Sequence, residues 1–230
     1  MSQRDHSCGS PGLESYVSLA FDRELGINEV EQVRRSLGAQ AAVSIPSAVA
    51  DAYGRARELG FSKSSRPEVG ALISVLASAV PGYGRVLELG TGAGLGLAWV
   101  VYGLGERNDV EVVSIEIDPV QAAFVANSGW PEWVSIVAGD ALEIVPTMGA
   151  FDLIFLDVPD AKNRRLCDAV AALRPGGKLL IDDMGLPGAS NSPSGAGLAT
   201  IRDQLFSDRR LVCAELAYSS GMILAVRRRD

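Results

Sequence analysis

The residues best suited to chemistry in this chain are carboxylates standing at the ends of apolar runs. In "RVLELGTGAGLGLA", Arg85 to Ala98, Glu88 precedes Gly90, Gly92 and Gly94. A backbone so bare of side chains lets a ligand lie against the main chain, and a carboxylate beside it favours a ligand carrying positive charge. More acids follow at similar places: Glu116 and Asp118 in "VVSIEIDP", Asp140 in "VAGDAL", Asp157 in "FDLIFLDVPDAKN" and the pair Asp182 and Asp183 in "KLLIDDM". Lys162 lies five residues beyond Asp157. The single histidine, His6, sits in the polar opening "MSQRDHSCGSPG", so a histidine triad or a histidine zinc site has no materials elsewhere. Cys8, Cys167 and Cys213 are scattered and odd in number, which fits reduced thiols better than a disulfide framework. Carboxylates, a lysine, a bound cofactor or an oxygen-held metal are what remain.

These residues need elements to position them. From Arg85 onward, apolar runs alternate with helical stretches: "RVLELG", "VEVVSIEI", "WVSIVAG", "FDLIFLD" and "GKLLIDD" read as strands, with helices beginning near Gly94, Asp118, Ala141 and Ala161. Such alternation of Val-, Ile- and Leu-rich strands with helices predicts a parallel sheet covered on both faces. "RLVCAEL" and "MILAVRR" are separated only by "AYSSG", too short for a crossover helix, so they should form an antiparallel hairpin. The fold class is therefore α/β, Rossmann-like and doubly wound, with a mostly parallel seven-stranded sheet, a C-terminal antiparallel hairpin strand and extra N-terminal helices. Residues 1–12 read as a loose terminus and 13–230 as one domain, with about three helices before Pro81. Ser64 or Ser65 is a natural N-cap for "RPEVGALISVLASAV", and "GLPGASNSPSGAG", Gly185 to Gly197, reads as a loop.

In a doubly wound sheet, ligands bind at the carboxyl ends of the strands, so the glycine loop is where a nucleotide-like cofactor is to be sought. The dinucleotide fingerprint G-x-G-x-x-G/A fails there: counted from Gly90 its third position is Leu95, and from Gly92 it is Leu97. Each acid or glycine alone could be a helix cap or a tight turn. Together, "VLELGTGAG", "SIEIDP" and "AGDAL", at the ends of three successive strands, resemble the motifs of class I S-adenosylmethionine-dependent methyltransferases. The resemblance implies that Glu88, Gly90, Thr91, Gly92 and Gly94 organise the loop under the methionine end. It places Glu116 with Ile117 at the ribose, and Gly139, Asp140 and Ala141 near the adenine.

After strand four there is no Asn- or Asp-Pro-Pro-Tyr element of the nucleic-acid amino-methylating enzymes. Asp157, Lys162, Asp182 and Asp183 instead resemble the catechol and caffeoyl-coenzyme A type O-methyltransferases. That likeness implies a divalent cation, magnesium or similar, held by Asp157, Asp182 and Asp183, and a homodimer. Asp157 would also face the cofactor, and Lys162 would take the acceptor's proton or stabilise its oxyanion. Two departures from the family pattern are plain: its lysine usually stands three residues after the aspartate, and asparagine usually stands where Asp183 does. Carboxylates converging without a cation would repel, which independently favours a hard ion among them. A small hydroxyl-bearing acceptor, aromatic or polyketide-like, is implied, covered by the helices before Pro81 and the loop around Gly188 to Gly197. A metal-independent methyltransferase acting on nitrogen or a carboxylate, and a cofactor-binding homologue without catalysis, are the alternatives.

Composition narrows the partners. A net charge of −7 over 230 residues opposes binding to phosphate backbones, and the one cationic run, Arg227 to Arg229, lies at the chain's end. No apolar run is long enough to span a membrane, and the opening lacks the apolar core of a signal peptide. A cytoplasmic protein is expected, with no nucleic acid or membrane partner. Trp99, Trp130, Trp133, Cys167 and Cys213 read most simply as core residues.

Overall fold

A computed structural model describes residues 46–61, 65–158, 166–185, 193–217 and 219–230. In chain order these form α1 (Ser47–Glu58), α2 (Pro67–Ser78), β1 (Arg85–Leu89), α3 (Leu95–Leu104), β2 (Glu111–Glu116), α4 (Pro119–Ala126), β3 (Val134–Ala138) and α5 (Ala141–Ile144). They continue with a short 3₁₀ turn, β4 (Phe151–Leu156), α6 (Leu166–Ala171), β5 (Leu173–Ile181), α7 (Pro193–Ser207), β6 (Leu211–Leu216) and β7 (Met222–Arg227).

The seven strands make one sheet in the order β3-β2-β1-β4-β5-β7-β6. The first five are mutually parallel, and β7 runs antiparallel to both β5 and β6, as the short "AYSSG" link requires. Strand order reverses direction between β1 and β4, so the crevice outside their carboxyl ends is the topological switch point. The β4 residues are all buried, which is why "FDLIFL" is apolar at nearly every position rather than alternating. Phe151, Leu153, Ile154 and Leu156 are at most 1 % exposed and belong with Leu87, Leu179 and Ile181 to the sheet core.

Helix starts follow local chemistry. Asp118 accepts hydrogen bonds from the amides of Val120 and Gln121, with Pro119 at the first helical position of α4. Asp140 caps α5 in the same way through the Leu142 amide. Helix α2 differs from expectation: its N-cap is Arg66, which makes no side-chain cap bond, and Pro67 pre-sets the first turn. The α2 and α3 axes approach closely because Gly70 faces the Trp99 indole and Gly103 faces the Ser74 backbone, leaving no room for a Cβ at either.

Two boundaries moved. Strand β5 begins at Leu173, before the expected "GKLLIDD", because "RPGG" is absorbed in a register shift opposite β4. Helix α7 begins at Pro193, inside the stretch read as a loop from its Gly, Pro and Ser content. Proline at a first helical position is compatible with a helix start, and composition alone did not separate the two. Cys167 is exposed, not a core residue, and Cys213 is half-buried. Trp99 is buried as expected, while Trp130 and Trp133 are only partly so. No described helix is long and apolar enough to cross a membrane. The expected helices before residue 46 lie outside the described residues.

Candidate functional site

The glycine loop leaves β1 at the switch point. Gly92 and Gly94 adopt φ +55° and +82°, a region that side-chain-bearing residues rarely enter, so the loop can make its turn into α3. The amides of Gly90 and Thr91 donate to the Ile115 carbonyl at 2.9 and 3.2 Å, which locks the loop onto the end of β2. Asp157, at the end of β4, lies next to Gly90, and its amide donates to the Leu89 carbonyl at 3.2 Å. The Gly139 amide donates to the Glu116 carbonyl at 2.8 Å, bringing the β3 end alongside β2. Gly90, Thr91, Gly92, Gly94, Glu116, Ile117, Gly139, Asp140, Ala141 and Asp157 thus occupy one rim, the carboxyl ends of β1 to β4.

Their side chains divide into two sets. Glu88 is 1 % exposed and lies beneath the loop, not at its surface. It stands opposite Ser114 in the β1–β2 register and accepts that hydroxyl at 2.5 Å. Ser114 in turn is 2.6 Å from the Thr91 hydroxyl, so Thr91 also points inward and faces a ligand only through its backbone. Burial pushes the Glu88 carboxyl up to about 8, with Asp157 and Glu116 adding to the rise, while the Ser114 hydroxyl and the Leu97 amide pull the other way. The Gly96 position has no space for a Cβ because Glu88 Oε1 fills it. At neutral pH the buried acid is therefore mostly protonated, and it ties β1, β2 and the first turn of α3 together.

Glu116 belongs to the second set: it is 7 % exposed, with its carboxylate against the loop's main chain. One of its oxygens accepts the Gly92 amide at 2.9 Å and the other the Asp118 amide at 3.1 Å, which fixes the carboxylate at the loop's edge. Ile117, the next residue, is 70 % exposed and adds an apolar side chain at the end of β2. Asp140 directs one oxygen to its helix-cap bond at 2.8 Å.

Helix α1 brings residues that sequence reading missed. Phe61, just past α1, lays its ring edge 2.9 Å from where a Cβ on Gly92 would stand. Arg55 reaches across to donate through Nε to the Ala93 carbonyl at 3.1 Å, with its guanidinium 4.9 Å from the centre of the Trp130 ring. No periodicity distinguishes Arg55 from any other helix-face cation, so nothing in the sequence marked it. Ser114 did leave a trace: it interrupts the apolar run Val112 to Ile115 and shares a face with Glu116, and same-face polar residues in such a run signal an internal partner.

The end of β5 is held differently. Asp182 is 3 % exposed, and its Oδ1 accepts the Ser220 hydroxyl at 2.6 Å and the Asp183 amide at 2.7 Å. Asp183 itself is exposed, with φ +55°. The β6–β7 turn is further pinned by Ser219 donating to Glu68 of α2 at 3.0 Å.

A relative from Mycobacteroides abscessus named as an O-methyltransferase is 30 % identical over 202 residues, covering 82 % of this chain and 92 % of its own length. The chain belongs to the O-methyltransferase family. A methyltransferase-domain family also matches residues 87–184, the stretch from β1 to just past β5 that carries the whole rim. Among solved structures, the O-methyltransferase TomG from Streptomyces achromogenes, in complex with SAM, superposes with a TM-score of 0.71 at 24 % identity, covering 87 % of this chain and 96 % of that one. An O-methyltransferase from Bacillus cereus in complex with SAH gives 0.72 at 19 % identity, covering 87 % and 97 %. At these identities the likeness establishes the fold shared with O-methyltransferases.

One family expectation does not take shape. Among the described residues no three acids, histidines or cysteines gather as a metal-ligand group, although Asp157 and Asp182 directly follow the paired β4 and β5 residues Leu156 and Ile181. At the β5 end, Asp182 turns one oxygen to Ser220 and the Asp183 amide, and the left-handed turn at Asp183 leaves that residue exposed. Lys162, expected as base or oxyanion partner, lies outside the described residues.

Proposed function

We propose that this O-methyltransferase family member transfers a methyl group from S-adenosylmethionine to a hydroxyl of a small acceptor. The observation that carries the reading is the glycine loop at the switch point, edged by the fixed Glu116 carboxylate. The residues fit the donor. A loop without side chains at Gly92 and Gly94 accepts the methionine end against the main chain, and Glu116 offers paired oxygens to the two ribose hydroxyls. The exposed Ile117 on one side and Gly139, Asp140 and Ala141 on the other bracket the position of the adenine.

When bound, S-adenosylmethionine supplies a methyl group on a sulfonium, whose sulfur keeps the bonding pair and leaves as a neutral thioether once an acceptor oxygen attacks. The chain's own part is to hold that oxygen in line and to remove its proton. Alignment of two bound reactants is worth an effective molarity on the order of 10⁵ M or more. Lys162 is the candidate for the proton, accepting it at Nζ as the neutral amine, and Asp157 beside Gly90 gives the rim the negative charge that a cationic donor needs. Asp157, Asp182 and Asp183 are the residues that would hold a divalent cation, which would lower the pKa of a bound acceptor hydroxyl; no step is assigned to the ion. The acceptor we favour is a phenol, catechol-like or polyketide-derived, whose hydroxyl with a pKa of about 10 loses its proton most easily among neutral alcohols. A homodimer is part of the same reading.

Calorimetry with S-adenosylhomocysteine followed by transfer of labelled methyl to a panel of catechols and phenolic polyketides tests it. Binding plus transfer to oxygen supports the reading. Binding with transfer only to amines or carboxylates would replace the acceptor class, and binding without any turnover would leave a cofactor-binding protein.

A further inference from the structure

Among the described residues, the charged groups named so far at the rim are acidic: Glu116 at the loop's edge and Asp157 beside Gly90. Such a site complements the sulfonium and the ammonium of the donor that the proposed function requires. The donor's third charge, the carboxylate of its methionine tail, would be repelled by the same acids unless a cation offsets them.

Arg55 is the cation in place. Its residue exposure is 9 %, and among the described residues its Nη2 has no hydrogen-bond partner. The bond from Nε to the Ala93 carbonyl explains how the side chain is held, and the Trp130 ring covers the guanidinium at 4.9 Å. Neither contact uses Nη2. That nitrogen stands 3.2 Å from where a Cβ on Gly94 would project, against the first turn of α3. The ten-residue helix α3 starts there with Gly94 as N-cap and no side-chain cap, so its amide end adds partial positive charge to that of Arg55. Asp51 and Glu58, on or next to the same helix turn, support the charge that burial opposes. A buried donor that stays unmatched is costly, and a guanidinium cannot shed its proton to escape the cost.

We propose that Arg55, through Nη2, grips the tail carboxylate of the bound donor and so determines that the site takes the full amino-acid-bearing nucleoside. The proposal rests on the cofactor reading above. In that role Arg55 is a binding and positioning residue: by fixing the tail it fixes the sulfur relative to the acceptor.

The test compares two ligands on the full chain by calorimetry, S-adenosylhomocysteine and its decarboxylated analogue S-adenosyl-3-thiopropylamine, for the wild type, Arg55→Met and Arg55→Lys. Arg55→Met should weaken S-adenosylhomocysteine about 10- to 100-fold, the range for a lost charge-assisted bond, and leave the analogue's affinity unchanged. Arg55→Lys, which keeps a charge without the fork, should fall between wild type and Arg55→Met on the same ratio, and it carries the test if the Met variant does not fold. Equal weakening of both ligands would make Arg55 a pin between α1 and the loop, and an unchanged ratio in either variant would remove it from the site; both overturn the proposal. Failure of the wild type to bind S-adenosylhomocysteine at all would instead bring down the cofactor reading on which the proposal stands.

Discussion

At the scale of single residues, the two acids of the glycine loop have opposite lives. Glu88 is neutral at moderate pH because burial raises it from 4.5 to about 8. A carboxyl whose folded value lies above its unfolded one stabilises the fold fully below the unfolded value, and that contribution is lost as pH climbs through the folded one. The wild type should therefore lose stability progressively between about pH 5 and pH 8 through this group. Glu88→Gln, which mimics the protonated form, should flatten that slope in denaturant melts run across the range; an unchanged slope would place the titration elsewhere. Glu116, by contrast, is presented at the rim as an acceptor. Glu116→Gln should weaken S-adenosylhomocysteine about tenfold or more in calorimetry, since hydrogen bonds to a charged acceptor exceed those to a neutral one, and should also lower the melting temperature, because the Gln amide nitrogen cannot accept the backbone amide that one carboxylate oxygen now accepts. Lys162→Met should lower kcat by about 10²–10⁴-fold while sparing cofactor affinity, the pattern of a lost acid–base group.

Among elements, the junction of β1 with α3 carries the site. Glycine to alanine at an ordinary helical position stabilises by roughly 1 kcal/mol. Gly96→Ala should do the reverse, costing about 1–3 kcal/mol, because the added methyl meets Glu88 Oε1 and must displace a buried, hydrogen-bonded acid. Thermal melts of Gly96→Ala beside the double variant Gly96→Ala with Glu88→Ala would separate the clash from other effects, since the second change removes the obstacle. Helix α1 matters for a related reason: Phe61 and Arg55 reach the loop from outside the sheet, so the loop is capped by an element that the strand motifs do not include.

For the whole molecule, the order of strands decides which ends converge. Because β1 and β4 are neighbours at the reversal point, Asp157 comes to Gly90 although 67 residues of chain separate them. The same topology carries Asp182 one strand further along, where Ser220 of the C-terminal turn holds it. Methyl transfer should fall on addition of EDTA and return with Mg2+ where Asp157, Asp182 and Asp183 hold an ion, as proposed above. Turnover unchanged by EDTA would leave these acids without a metal role.

The sequence by itself determined the strands, their mostly parallel arrangement, the terminal hairpin and the acids and glycines of the rim. Those rest on local pattern: β-branched runs, turn lengths too short for a crossover, and acids at strand ends. It misplaced the start of α7 and the cap of α2, where Pro, Gly and Ser serve loops and helix starts alike. Tertiary structure alone decided that Glu88 and Thr91 face inward, since a period-two pattern gives a face but not the neighbour waiting there. It also decided that Arg55 crosses to the loop and that Asp182 turns to Ser220. Both depend on contacts across 38 residues, and contact at that range is set by packing, not by the chemistry of the neighbouring sequence.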